Sequence, residues 1–199
     1  MSVTMNSPVM LPPRGSGQAK ASQSGIWVAM FAITMSFAAF TSALVIRQAS
    51  ADWTHLRTPR ILFVNTALLL FSSVLLEMSR RAMLKKTEAA AQQISRSKIL
   101  LSGALILGLM FIVGQYVAWQ QLAAQGLFLA TNPNSSFFYL LTGMHILHLA
   151  GGIIALAYLL VHRALSGAVR PNLVNGVVTY WHFMAALWVY LLFIITTRL

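Results

Sequence analysis

The sequence predicts an all-α, polytopic membrane protein, a bundle of five transmembrane helices, and three observations carry that prediction. Of 199 residues, 58% are hydrophobic and 9% charged, and the mean hydropathy of +0.73 is far outside the range of soluble domains. Five apolar runs, at about 26–46, 61–78, 99–123, 136–161 and 176–197, each approach or exceed the roughly 20 residues that cross a hydrocarbon core. All six prolines (Pro8, Pro12, Pro13, Pro59, Pro133 and Pro171) fall between these runs and mark tails and loops. Backbone in lipid must satisfy its own hydrogen bonds, and the runs are too long for barrel strands, so helices follow.

Taken in order, residues 1–25 ("MSVTMNSPVMLPPRGSGQAKASQSG") are too polar before Ile26 for a signal peptide and read as a disordered cytoplasmic tail. Residues 26–199 read as a single membrane domain. The second run ends near Glu77, the one carboxylate in or beside a span, since Asp52 and Glu88 fall in loops. Glu77 shares a helical stripe with Thr66 and Ser73, which would suit a proton relay. Arg80 and Arg81 follow at i+3 and i+4, and that spacing predicts an ion pair at the headgroup boundary. Gly103, Gly108 and Gly114 in the third run, and Gly143, Gly151 and Gly152 in the fourth, permit close helix approach. Trp119, Trp181 and Trp188 serve either packing or the interface.

The fourth run, "SFFYLLTGMHILHLAGG", places Phe138, Thr142, His145, His148 and Gly152 on one stripe, which therefore faces protein. In the fifth, "YWHFMAALW" places His182 about 9 Å beyond Gly176, and His148 lies about 18 Å in from Ser136 on a helix running the other way. The two imidazoles are therefore expected as neighbours. They either ligate one b-type haem or join a proton path, or each hydrogen-bonds a neighbouring helix and fixes the packing, an interaction worth roughly 0.6 kcal/mol in membranes.

Charge sets the orientation. Net charge is +11, but the tail, the second loop and the fourth loop hold ten basic residues (Arg14, Lys20, Arg80, Arg81, Lys85, Lys86, Arg96, Lys98, Arg163, Arg170). The opposite side holds four (Arg47, Arg57, Arg60, Arg198), so the N-terminus is expected in the cytoplasm and the C-terminus in the periplasm. The excess belongs to membrane topology rather than to nucleic acid. The basic loop from Arg80 to Lys98 is a stop-transfer signal or meets anionic headgroups. With no cysteine, disulfides, CxxCH haem attachment, thiolate metal sites and a dinuclear copper electron acceptor are excluded. Five histidines, with His55 and His162 in or beside loops, are too few for a haem–copper oxygen-reducing centre and its second haem.

Four motifs carry a resemblance. "SSFFYLLTGMHILHLAGG" resembles the S-x-F-F and T-G-x-H-x-x-H signature of subunit III of haem–copper cytochrome c and quinol oxidases. "YWHFMAALW" is similar to that family's YWHF-V-D-x-x-W, "NTALLLFSS" (residues 65–73) to its N-T-x-x-L-L-x-S-S, and "GLMFIVGQYVAWQQL" to its G-x-x-F-x-x-x-Q helix. They occur in family order from Asn65 to Trp188. The signature positions carried over are Asn65, Thr66, Gln115, Thr142, Gly143, His145, His148, Tyr180, Trp181, His182, Phe183 and Trp188.

The resemblance implies the short, five-helix form of an accessory subunit in the bacterial inner membrane. That subunit has no catalytic centre, metal or redox cofactor of its own. It packs on the catalytic subunit I, which holds haem and copper, and on other oxidase subunits, binds phospholipid, and helps sustain proton uptake. The sequence departs from the family at three carboxylates: Arg60, Ala118 and Ala185 stand in their places, and a proton-carrying role within these helices is doubtful without them. A related small subunit associated with nitric oxide reductase shares the pattern. A single b-haem cytochrome using His148 and His182 is the reading from another class; a transporter fits least, since five spans do not divide into matching halves.

Overall fold

A computed structural model describes residues 15–49, 58–84, 90–129, 132–166 and 170–199, and these form five helices with no strand among them. They are α1 (Gly15–Arg47), α2 (Ile61–Leu84), α3 (Ala90–Ala124), α4 (Pro133–Ser166) and α5 (Pro171–Arg198). Each is long and apolar enough to cross a membrane. Asp52, His55, Arg57, Lys85, Lys86 and Glu88 lie outside the described residues.

Every helix overruns the run that predicted it. An apolar run measures the hydrocarbon it crosses, whereas a helix continues until its own backbone chemistry stops it; α3, with 35 residues, is about 50 Å long. Two corrections follow. Residues 15–25, expected in a disordered tail, are helical in backbone, because "QAKASQS" has no proline and adds good helix formers to an already nucleated span. Residues 1–14 are outside the described set. Pro133 and Pro171 are the first residues of α4 and α5 rather than loop positions, since a proline there forgoes only an amide that has no intrahelical partner.

The end of α3 is chemically defined. Gly126 adopts φ 78°, which lets its amide donate to the Ala123 carbonyl (2.9 Å) and that of Leu127 donate to Leu122 (3.2 Å), a Schellman stop. Leu127 then packs on the core.

α5 occupies the middle. Half of its most apolar stretch is buried, against 28% for each other helix. It packs on α1, α2 and α4, while α2 pairs most extensively with α3, α3 continues to α4, and α4 reaches α1. Among the described residues the backbones of α1 and α2 do not come close to one another, and α5 packs on both. Trp181 of α5 is fully buried between two glycines: a Cβ at Gly108 of α3 would lie 2.7 Å from its Cη2, and one at Gly152 of α4 would lie 3.2 Å from its Cε3. Gly151, by contrast, faces open space, and Gly143 only brushes Trp119.

Candidate functional site

The polar side chains inside the spans form a lattice between helices, and α2 supplies most of it. Residues seven apart return to nearly the same face of a helix, so Asn65 and Ser72 share one face and Thr66 and Ser73 the adjacent one. The first pair meets α3: Asn65 Nδ2 donates to Gln115 Oε1 (3.4 Å), and Ser72 Oγ donates to the Ala104 carbonyl (2.8 Å). The second meets α5: Thr66 Oγ1 accepts from Trp188 Nε1 (2.9 Å), and the Ser73 hydroxyl bonds His182 Nδ1. All four polar residues of "NTALLLFSS" therefore cross to a neighbouring helix. Gly114 makes room for the first, because its missing Cβ would occupy the place of Asn65 Oδ1.

The signature of α4 works at two levels. Ser135 Oγ donates to the Phe128 carbonyl (2.7 Å), and the Ser136 hydroxyl bonds the Leu129 carbonyl, so the paired serines tie down the loop from α3. Tyr139 adds a bond from its hydroxyl to the Leu127 carbonyl (3.0 Å). One turn further, Thr142 Oγ1 donates to Phe138 O (2.7 Å) and accepts from Trp119 Nε1 (3.0 Å). Sequence reasoning left Trp119 and Trp188 undecided and treated the serines only as a motif. The missed signal was that each tryptophan has a threonine on the facing helix.

The histidines differ from expectation. His145 is fully buried against the rings of Phe111 and Trp188, with centroids 5.8 and 5.1 Å away, and neither ring nitrogen has a protein partner. His148 bonds within its own helix, Nδ1 to the Met144 carbonyl (2.7 Å), and packs on Phe37 of α1. Of these three, His182 is the one that hydrogen-bonds a side chain of another helix, Ser73 of α2. Of the two imidazoles expected to hydrogen-bond a neighbouring helix, His182 does so and His148 bonds its own backbone instead, while His145 acts as an aromatic filler.

Nor are His148 and His182 directed at each other. His148 lends its backbone carbonyl to Tyr180 Oη (2.9 Å), and Tyr180 lies about 200° around α5 from His182, which faces α2. The sequence estimate placed both at similar depth but contained no rotation angle, and rotation separates them. One haem bridging the two is not supported by this arrangement. Among the described residues no group of three His, Asp or Glu side chains is placed to hold a metal.

At the end of α2 the Glu77 carboxylate accepts a fork from Arg80, Nε and Nη2 both at 2.7 Å, and a third bond from Arg81 Nε at 2.8 Å. Two groups from α5 join it: His182 Nε2 is 3.7 Å from Glu77 Oε2, and Asn175 Oδ1 accepts from Arg80 Nη1 at 3.3 Å. The i+3 and i+4 pattern pointed to the arginines; the α5 partners lie about 100 residues away and leave no local trace. Of the three positions lacking the resembling family's carboxylates, Ala118 and Ala185 are buried against neighbouring helices and Arg60 is exposed. Phe183 packs against the core.

The comparison that decides the family covers nearly all of this bundle: the model of cytochrome c oxidase subunit III matches residues 25–197. The chain belongs to the cytochrome c oxidase subunit III family. Subunit III of Alkalihalophilus pseudofirmus cytochrome c oxidase is 29% identical over 187 residues, 90% of this chain and 88% of that one. The probable cytochrome c oxidase subunit 3 of Mycobacterium tuberculosis is 35% identical over 92 residues, 45% of each chain. The chain thus matches under half the length of the mycobacterial relatives. Subunit 3 of Synechocystis is 26% identical over 163 residues, 78% of this chain and 66% of that one. Family members are components of a multisubunit oxidase, so the lattice described above is that of a subunit III bundle.

Proposed function

We propose that this chain is the accessory subunit III of a bacterial respiratory terminal oxidase, supporting a catalytic subunit I that reduces oxygen with its own haem and copper. It sits in the cytoplasmic membrane with the basic end of the bundle inside, as the excess of arginine and lysine at that end supports. The observation that carries the reading is the match over residues 25–197 together with the use of the signature: its polar groups are spent on helix-to-helix and loop-closing bonds. Such a bundle supplies a rigid face.

Two surfaces fit the supporting role. On α1, Gly25, Ala29, Ala32, Ser36, Ala39 and Ala43 are all exposed and recur at three and four residues, the spacing that lets a second helix approach closely. On the other side a groove of about 420 Å³ between α2 and α3 is lined by Ile61, Val64, Leu68, Ile106, Met110 and Val113, and suits an acyl chain of a bound phospholipid.

The test is a mild-detergent pull-down of the chain from native membranes, with a visible spectrum and mass-spectrometric identification of partners. A histidine-rich, haem-bearing membrane subunit should co-purify, and its haem bands should leave with it when the two are separated. Haem remaining on the isolated chain would overturn the proposal.

A further inference from the structure

His182 of α5 stands between two groups of α2 and is bonded to one of them. Its Nδ1 meets the Ser73 hydroxyl, while its Nε2 is 3.7 Å from Glu77 Oε2, beyond hydrogen-bond range. The carboxylate has room on that side. Oε1 accepts from Arg80 Nη2 and Arg81 Nε, whereas Oε2 takes one bond among the described residues, from Arg80 Nε, and an ionised carboxylate oxygen has two acceptor directions. With Glu77, Arg80, Asn175, Val178 and Thr179, His182 lines a cavity of about 220 Å³ at the basic end of the bundle. The imidazole is 40% exposed, so it can take a proton from the aqueous phase there.

The charged groups around that ring come from α2. Glu77 attracts an imidazolium, and Arg80 and Arg81 oppose it. Arg81, 77% exposed and held by one bond, can turn to water and yield its place on the carboxylate. The other packed elements contribute little. Along α1 the described side chains include one ionisable group, Arg47, at the opposite end. On α4, His145 faces Phe111 and Trp188, His148 faces Phe37, His162 faces Tyr158, and Arg163 bonds Ser97 of α3. Arg170 precedes His182 by twelve residues, about 18 Å along the helix axis.

We propose that His182 is a pH-sensitive latch between α2 and α5: with a proton its ring donates from Nδ1 to Ser73 Oγ and from Nε2 to Glu77 Oε2, drawing the two helices together across the cavity, and without the proton the second bond is released. Neutral imidazole has one N–H and one acceptor nitrogen, while imidazolium has two donors, so the proton gives the ring a donor for each neighbour and makes the bond to Glu77 charge-assisted. A bond of that kind spans about 2.8 Å, so closure needs a movement of about 0.9 Å from the observed 3.7 Å. The bond exists only while the proton is present. It therefore holds the seam in acid and is lost as the pH rises through the range in which imidazole changes charge, about pH 5 to 8.

The test is SDS unfolding of the purified full chain in micelles at about pH 5.5 and about pH 8, for the wild type, His182→Gln, Glu77→Gln and the double variant. The unfolding equilibrium constant of His182→Gln, divided by that of the wild type, should be about two- to fivefold larger at the acid pH, the size of a partly exposed ion pair. Against the Glu77→Gln background the same ratio should not change with pH. A His182 that only bonds Ser73 would lower stability equally at both pH values, so a constant ratio overturns the latch. A pH-dependent ratio that survives Glu77→Gln overturns it too, because the carboxylate is then not the partner.

Amide hydrogen exchange over residues 171–176, the start of α5, gives a second readout that does not need the Glu77 variants, and His182→Asn replaces His182→Gln if that protein does not insert. Exchange should be slower in the wild type than in the variant at about pH 5.5, with no difference at about pH 8, and equal exchange at both overturns the latch. The latch stands apart from the accessory role proposed above: a chain that keeps the pH-dependent ratio but captures no haem-bearing subunit retains the one and loses the other.

Discussion

Trp181 offers a direct probe of how tightly the bundle is set. Its indole is fully buried between Gly108 and Gly152. At Gly108 an added methyl would stand 2.7 and 2.9 Å from two indole carbons, well inside contact distance, whereas at Gly152 the nearest approach is 3.2 Å and needs a shift of a few tenths of an ångström. Overpacking of this kind costs about 1–3 kcal/mol, and replacing a helical glycine by alanine returns up to about 1 kcal/mol. Gly152→Ala is therefore expected within about 0.5 kcal/mol of neutral, and Gly108→Ala to cost about 1 kcal/mol as the ring moves toward the free side. In the double variant the ring has no free side. The double-mutant cycle should show a coupling of about 1–2 kcal/mol beyond the sum, in the range for residues sharing one partner. The assay is unfolding of the four proteins by SDS titration in detergent micelles, followed by circular dichroism. If the two substitutions prove additive, Trp181 has slack that the packing here denies it, and the reasoning is wrong.

Other expectations follow from the lattice. His145→Leu should be neutral or stabilising by up to about 1 kcal/mol in the same titration, because neither imidazole nitrogen loses a protein partner; a clear loss would reveal a partner bound at that ring. For Thr66 and Trp188, a cycle of Thr66→Val and Trp188→Phe should give a coupling near 0.6 kcal/mol, typical of membrane hydrogen bonds, and zero coupling would remove that bond from the account. Removing the exposed Arg81 (Arg81→Gln) should cost less than about 0.5 kcal/mol, and Arg80→Gln more, since Arg80 alone forks both carboxylate oxygens and also reaches α5; equal effects would contradict the geometry. Ala32→Leu with Ala39→Leu should lower recovery of the haem-bearing subunit in a pull-down while leaving the isolated chain folded, and undiminished recovery would move the partner face away from α1.

Much of the fold was legible because a bilayer admits few solutions. Run length and the proline gaps gave the number and order of the helices, and the 3.6-residue repeat gave the buried stripe of α4. Contacts whose two halves lie on one helix could also be read, as Glu77 shows with Arg80 and Arg81. What could not be read depends on the rotation of one helix about its axis relative to another. That rotation decides whether His182 meets His148 or Ser73, and it is set by side-chain packing such as Trp181 against Gly108 and Gly152 rather than by any local pattern. Helix ends were misplaced for a different reason: hydropathy falls at the lipid boundary, while Pro133, Pro171 and the Gly126 turn mark where the hydrogen-bond ladder starts and stops.

The central place of α5 also bears on how the bundle is built. α2 and α3 are adjacent in the chain and pair most extensively, so they can associate as soon as both are in the membrane. α1 has a different situation, because its neighbours are α4 and α5, the last two helices to be synthesised. During translation α1 must wait in lipid while α2 and α3 are inserted, before α4, its first neighbour, arrives. Only the arrival of α5 gives it, α2 and α4 a common neighbour. A ribosome that stalls before residue 171 would leave α1 to α4 joined only through the α2–α3, α3–α4 and α1–α4 contacts, without the helix that packs on α1, α2 and α4 together, so the helix made last completes the bundle.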